Sequence, residues 1–181
     1  MGASVGFVYG GKSLTDLMNY IQIQPLSKDA FAPFGDVISC EGNDFFPINN
    51  ALTERYHALA LTQTNTGQVG LSIFRNIQKT TVPCTIKMLE RHPQGSQAFI
   101  PMHGQSFLIV VAAQLDQNTP DLAHIYAFIS NGKQAINYHK GTWHHPLLTL
   151  EAPSDFVVVD RIGEGHNCDI FPFEENIVLT F

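Results

Sequence analysis

Thr85-Ile-Lys-Met-Leu-Glu-Arg-His92 is the stretch on which the fold turns. Side chains alternate across a strand, so an extended reading puts Ile86, Met88, Glu90 and His92 on one face and Lys87, Leu89 and Arg91 on the other. An apolar face that runs into a carboxylate and an imidazole suits the inner wall of a barrel where it meets a polar site. The competing reading is a solvent-exposed strand end with two ordinary polar residues.

On either side, short runs rich in β-branched and aromatic residues recur at 71–75, 107–113, 125–129, 134–139, 147–150, 156–160 and 177–181, separated by Gly, Pro, Asn and Asp. Eight or more such strands predict an all-β sandwich or closed barrel. Helical signals are few: Ser27 caps a short turn that Pro33 stops, and Leu52, Tyr56 and Leu59 recur at helical spacing after Asn50. Asn19-Tyr-Ile-Gln-Ile-Gln-Pro-Leu26 alternates like a first strand, so residues 18–181 are expected to form one domain and 1–17 a flexible extension. Within that extension Gly6-Phe-Val-Tyr-Gly-Gly-Lys-Ser13 has the letters of a phosphate loop. Such a loop needs a buried parallel strand before it and a helix after it, and five residues before Gly6 are too few for the strand.

Composition limits the partners. The 181 residues carry 10 Lys plus Arg against 16 Asp plus Glu, a formal charge of −6, which argues against nucleic acid or anionic lipid and leaves a small anionic ligand open to local Arg and His. The longest apolar run, 107–113, is far below the ~18 residues a membrane span needs. Cys40, Cys84 and Cys168 form neither a CxxC pair nor an even set, which suits a reducing, cytoplasmic setting.

A second cluster is Asn137-Tyr-His-Lys-Gly-Thr-Trp-His-His-Pro146, with three of the eight histidines within seven residues. Neutral imidazole suits acid–base work and metal ligation near pH 7. Neighbours on a strand face opposite ways, so at most one of His144 and His145 is expected to reach a site. Taken with Glu90-x-His92, Gln97 and Gly104, and with His139-x-Gly141-Thr-Trp-His144, the chain resembles the cupin superfamily, with Glu90 where the first motif has His, Gln97 where it has Glu, and His139 where the second has Pro. The resemblance implies a cupin-like β-barrel (jelly roll) with a few short helices.

Longer strings narrow it. Ala32-Pro-Phe-Gly-Asp-Val-Ile, Ile48-Asn-Asn, Glu54-Arg-Tyr-His, Leu89-Glu-Arg-His-Pro, Gly95-Ser-Gln-Ala-Phe-Ile-Pro, Asn137-Tyr-His, Trp143-His-His-Pro-Leu, Val159-Asp-Arg and Asn167-Cys resemble, in this order, the ureidoglycolate lyase family. That resemblance implies a homodimer converting (S)-ureidoglycolate to glyoxylate and urea in allantoin catabolism. Removing urea needs a base for the hydroxyl proton, an acid for the departing nitrogen and a grip on the carboxylate. Glu90, His92, His139 and His144 are the candidates for proton transfer. Arg75 or Arg161 could supply a bidentate grip, while Gln97, Asn137, Tyr138, Lys140 and Trp143 complete the expected binding set. Cofactor need is open: His92, His144, Glu90 and Gln97 could also serve a divalent transition metal. The alternatives are amide cleavage of the same substrate to ammonia and carbon dioxide, a metal-dependent cupin enzyme, and a non-catalytic metabolite-binding cupin.

Overall fold

Phe107, Ile109 and Val111 pack into one hydrophobic cluster while Leu108, Val110 and Ala112, between them in sequence, pack into another. A strand buried on both faces must lie between two layers, and this one does. The structure is a computed structural model that describes residues 19–181. The expected extension and the phosphate-loop pattern at 6–13 lie outside the described residues.

The elements are β1 (Asn19–Pro25), α1 (Lys28–Phe31), β2 (Gly35–Ile38), β3 (Phe46–Ile48), β4 (Thr53–Arg55), β5 (Gln68–Asn76), β6 (Cys84–Arg91), β7 (Gln97–Pro101), β8 (Phe107–Asp116), β9 (Thr119–Ile129), β10 (Ala135–Tyr138), β11 (Trp143–His144), β12 (Leu148–Thr149), β13 (Ser154–Ile162) and β14 (Asp169–Thr180). One sheet runs β11-β6-β14-β1-β9-β8-β12, and β11 pairs with β8 as well as β6, so this sheet closes into a barrel. Its interior is the cluster of Leu108, Val110, Trp143, Ile177 and Leu179. The second sheet, β2-β10-β7-β13-β5, covers the outside of that barrel across the cluster of Phe99, Phe107, Ile109, Tyr138 and Phe156. The fold is all-β, as the strand spacing predicts, and cupin-like, as the resemblance implies.

Ser27 caps α1 as expected, its side chain accepting from the Ala30 N–H. Instead of a helix, residues 46–55 form the β3–β4 hairpin. Asn49 and Asn50 take positive φ (54° and 58°), the turn chemistry that overrides the 52-56-59 spacing. Among the described residues α1 is the one α-helix, fewer than the few short helices anticipated. The uninterrupted alternation expected along β6 also fails, because Ile86 and Leu89 share the barrel interior. The pairing of β6 with β14 shifts register between Pro172 and Ile177, and this irregularity turns the strand between Ile86 and Met88. Beyond the turn, Glu90 faces the space between the sheets, as its pairing with His144 requires.

Candidate active site

The pairing of β11 decides which histidine reaches the site. Trp143 lies opposite Ala112, which packs into the barrel interior, and His144 lies opposite Val111 and Glu90, which face the inter-sheet layer. His144 is 1% exposed. Tyr138 stacks on its imidazole with ring centroids 4.2 Å apart and 17° between planes. His145 instead turns its Nδ1 to the Pro146 carbonyl at 2.8 Å, and burial pushes its pKa below the usual histidine range.

Glu90, His92 and His144 meet with their ligating atoms all within 4.8 Å of one another. His92 Nδ1 lies 2.6 Å from the Asn167 carbonyl and His144 Nδ1 lies 2.9 Å from the Thr142 carbonyl. A carbonyl only accepts, so each neutral ring carries its proton on Nδ1 and points an Nε2 lone pair inward. Both Nε2 atoms are buried without a hydrogen-bond partner, and His144 Nε2 lies 3.6 Å from Glu90 Oε1. Three acceptors therefore face one another with no donor among them, an arrangement that calls for protons or a cation. At Glu90, burial alone would raise the pKa; once the rings carry a second proton, His144 first and then His92 and His145 outweigh it and hold the carboxyl below its ordinary range. Tyr138 is pushed up strongly, first by burial and then by Glu90, so its phenol stays protonated.

A cavity of about 270 Å³ opens beside Glu90, lined also by Gln97, Phe74, Phe99, Asn76 and Leu147. A larger one of about 760 Å³, around Phe34, Tyr126, Phe128 and Trp143, holds none of the three clustered groups, so chemistry assigns the site to the smaller. Gln97 is 5% exposed, and its Nε2 donates to Asp160 Oδ2 at 3.3 Å while its Oε1 has no partner. Asp160 is absent from the expected set; the sequence signals that could flag it are its place at the end of the Val157-Val158-Val159 run on β13 and in the Val159-Asp-Arg string of the resemblance.

Several expected site residues lie elsewhere. Asn137 neighbours Tyr138 and so turns to the opposite face of β10, where it is fully buried, its Nδ2 donating to Asp36 Oδ2 (3.0 Å) and the Leu61 carbonyl (3.3 Å). His139 Nε2 sits 3.3 Å from Asp36 Oδ1 and is half exposed, outside the Glu90 cluster. Lys140 Nζ donates to Asn65 Oδ1 at 2.9 Å. Trp143 lies under the guanidinium of Arg91, 4.7 Å from its centroid, on the barrel side of β11. Arg161 spends its donors on the carbonyls of Thr66, Gly163 and Glu164 and the Thr66 hydroxyl, leaving no fork for a carboxylate. Arg75 borders the cavity, yet it pairs with Asp155 on the outward face of β5 and makes a bidentate bridge to it at 2.7 and 2.8 Å. Of the two arginines expected to grip a carboxylate, neither points into the cavity. Gln97 lines the cavity together with Glu90.

Residues 18–180 match the profile of the family described as ureidoglycolate lyase. The chain belongs to the ureidoglycolate lyase family. It is 56% identical over 163 residues to a ureidoglycolate lyase of Pseudomonas syringae pv. tomato, covering 88% of this chain and 93% of that protein. It is 53% identical to those of Pseudomonas paraeruginosa (90% and 96% covered) and Stutzerimonas stutzeri (88% and 93%). The profile spans every element from β1 to β14, so family membership includes both sheets and the Glu90 cluster between them.

Proposed function

We propose that the protein is a carbon–nitrogen lyase that converts (S)-ureidoglycolate to glyoxylate and urea. The observation that carries the reading is the convergence of Glu90, His92 and His144 inside a chain of this family. The substrate's hydroxyl and ureido nitrogen sit on one carbon, so a group within reach of one is within reach of the other. Glu90 Oε1 faces His144 while Oε2 lies toward Cys168, 3.8 Å from its sulfur. Glu90 takes the hydroxyl proton, the oxygen's electrons form the aldehyde C=O, the C–N bond breaks, and the same proton passes to the departing nitrogen. The Asn167 and Thr142 carbonyls hold both imidazoles with Nε2 toward Glu90, ready to receive a proton, and Tyr138 buttresses His144. Phe74 and Phe99 give the cavity an apolar wall that limits water.

Charge balance favours a cation here. An anionic substrate must enter a cavity that already holds the Glu90 carboxylate, while Arg75 is held by Asp155. Glu90, His92 and His144 are a nitrogen–oxygen donor set that suits a divalent transition ion, with ligating atoms within 4.8 Å of one another. Such an ion, when bound, supplies Lewis-acid polarisation of a substrate oxygen.

The purified protein with (S)-ureidoglycolate should release glyoxylate and urea in equal amounts. Ammonia in place of urea would transfer the reading to amide cleavage. A homodimer is the accompanying proposal: Val69, Leu71 and Ile73 stand 44%, 75% and 57% exposed on the outward face of β5, an edge strand. Sedimentation should show a dimer that Leu71→Lys converts to monomer.

A further inference from the structure

We infer that Asp160 is a positioning residue that makes the cavity select for the ureido N–H groups of the substrate. This deepens the activity proposed above and rests on it. Register puts Asp160 on the cavity side of its sheet: it pairs with Gly70, two residues from Val158, which is fully buried in the inter-sheet cluster. Gln97 pairs with Tyr138, the residue stacked on His144, so the three lie on one face.

An amide can present either end to its neighbour, and the neighbour decides which. An ionised carboxylate accepts only, so Asp160 holds the Gln97 Nε2 (3.3 Å) and turns Oε1 the other way. That oxygen is buried with no partner in the protein, in a side chain that lines the cavity beside Glu90. A buried acceptor left unpaired is costly, and a bound N–H removes the cost. The substrate presents N–H donors at its ureido end and acceptors at its carboxylate. Beside Glu90 the cavity therefore offers a fixed acceptor, which discriminates the ureido end from the carboxylate end and holds the ureido end at Glu90. Asp160 does this through Gln97 without any need to touch the reacting atoms.

The test compares two unreactive competitors, hydantoate, which has carboxylate and ureido groups, and glycolate, which has carboxylate and hydroxyl groups but no N–H. In Asp160→Asn the partner can donate or accept, and the Gln97 amide is free to turn its NH₂ inward. Hydantoate inhibition should weaken about tenfold to a hundredfold, the range of a hydrogen bond to a buried polar group, with glycolate inhibition unchanged. The substrate KM should rise in parallel while kcat falls less. Asp160→Glu, still an obligate acceptor, should recover most of the hydantoate preference. Gln97→Met, similar in volume with neither amide atom, should lose that preference as Asp160→Asn does, and covers the case in which Asp160→Asn fails to fold. An unchanged hydantoate-to-glycolate ratio in Asp160→Asn, or equal loss of both, overturns the inference. Wild-type protein that releases no urea overturns the activity instead, and the two failures are read in separate assays.

Discussion

Two histidine–carboxylate clusters occupy opposite sides of the sheet around β10, and they differ in what surrounds them. On the inner side His144 is 1% exposed, stacked on Tyr138, with Nε2 unpartnered and 3.6 Å from Glu90. On the outer side His139, half exposed, reaches Asp36 at 3.3 Å, and Asp36 already accepts from Asn137. The residue types are nearly the same. Burial makes the difference: the inner acceptors have lost water and found no donor, whereas the outer dyad is solvated and one of its carboxylate oxygens is satisfied. The inner cluster thus combines His, Glu and unpartnered buried nitrogen acceptors that can hold a cation or move a proton.

The comparison can be broken by substitution. Glu90→Gln should lower kcat by about a hundredfold to ten-thousandfold, the range of a positioned proton-transfer group, while His139→Ala should change it less than threefold, with circular dichroism reporting the fold of each. A large loss in His139→Ala would place chemistry on the outer face. Metal content sharpens the contrast next: elemental analysis should find a divalent transition metal in the wild type that is retained in His139→Ala and lost in His92→Ala, and chelation should lower turnover of the wild type.

Smaller effects concern the two arginines. Arg91 is 8% exposed, bridges Asp169 at 2.8 Å and donates to the Gln117 carbonyl and to Asn118. Arg91→Met should cost about 3 kcal/mol in urea unfolding, because it strips a largely buried charge network and strands its acceptors. The Asp169 carboxyl is held below its ordinary range, first by Arg91 and then by His166. A depressed carboxyl stabilises the folded state above its unfolded pKa of about 3.9, and the contribution fades as pH falls through the lower folded value. The unfolding free energy of Arg91→Met should therefore fall less steeply than the wild type's between pH 5 and 2, to be followed by urea titration across that range. Arg75 is the smallest case. Its side chain is 63% exposed and points away from the cavity, so Arg75→Ala should leave KM within about twofold, and a large rise would restore it as the carboxylate grip.

Much of this architecture was legible in the chain. Alternating β-branched and aromatic runs announced the strands, and Ser27 with Pro33 announced the single short helix. Glu90 near the end of β6 and His92 just past it were legible as a pair because side chains on an extended chain repeat every two residues. The same rule established that His144 and His145 could not both reach the site. It was silent on which did, and it gave Asn137 and His139 the same standing as Tyr138. Those assignments depend on register, since β10 turns Tyr138 to the inter-sheet layer because that residue pairs with Gln97, and β11 turns His144 there because it pairs with Glu90. Strand β7 went unread because Gln97-Ala-Phe-Ile-Pro101 is short and ends in proline.

Sequence by itself determined the kind of structure and the local pairs, because periodicity, caps and turns are properties of neighbouring residues. Tertiary structure alone decided the parity of each strand toward the cavity, the turn in β6 opposite the irregularity in β14, the occupation of Arg75 and Arg161 by other partners, and the meeting of Gln97 with Asp160, 63 residues away. The reason is physical. A register shift of one residue inverts every side chain on a strand, and register is set by which strands pair across the whole fold.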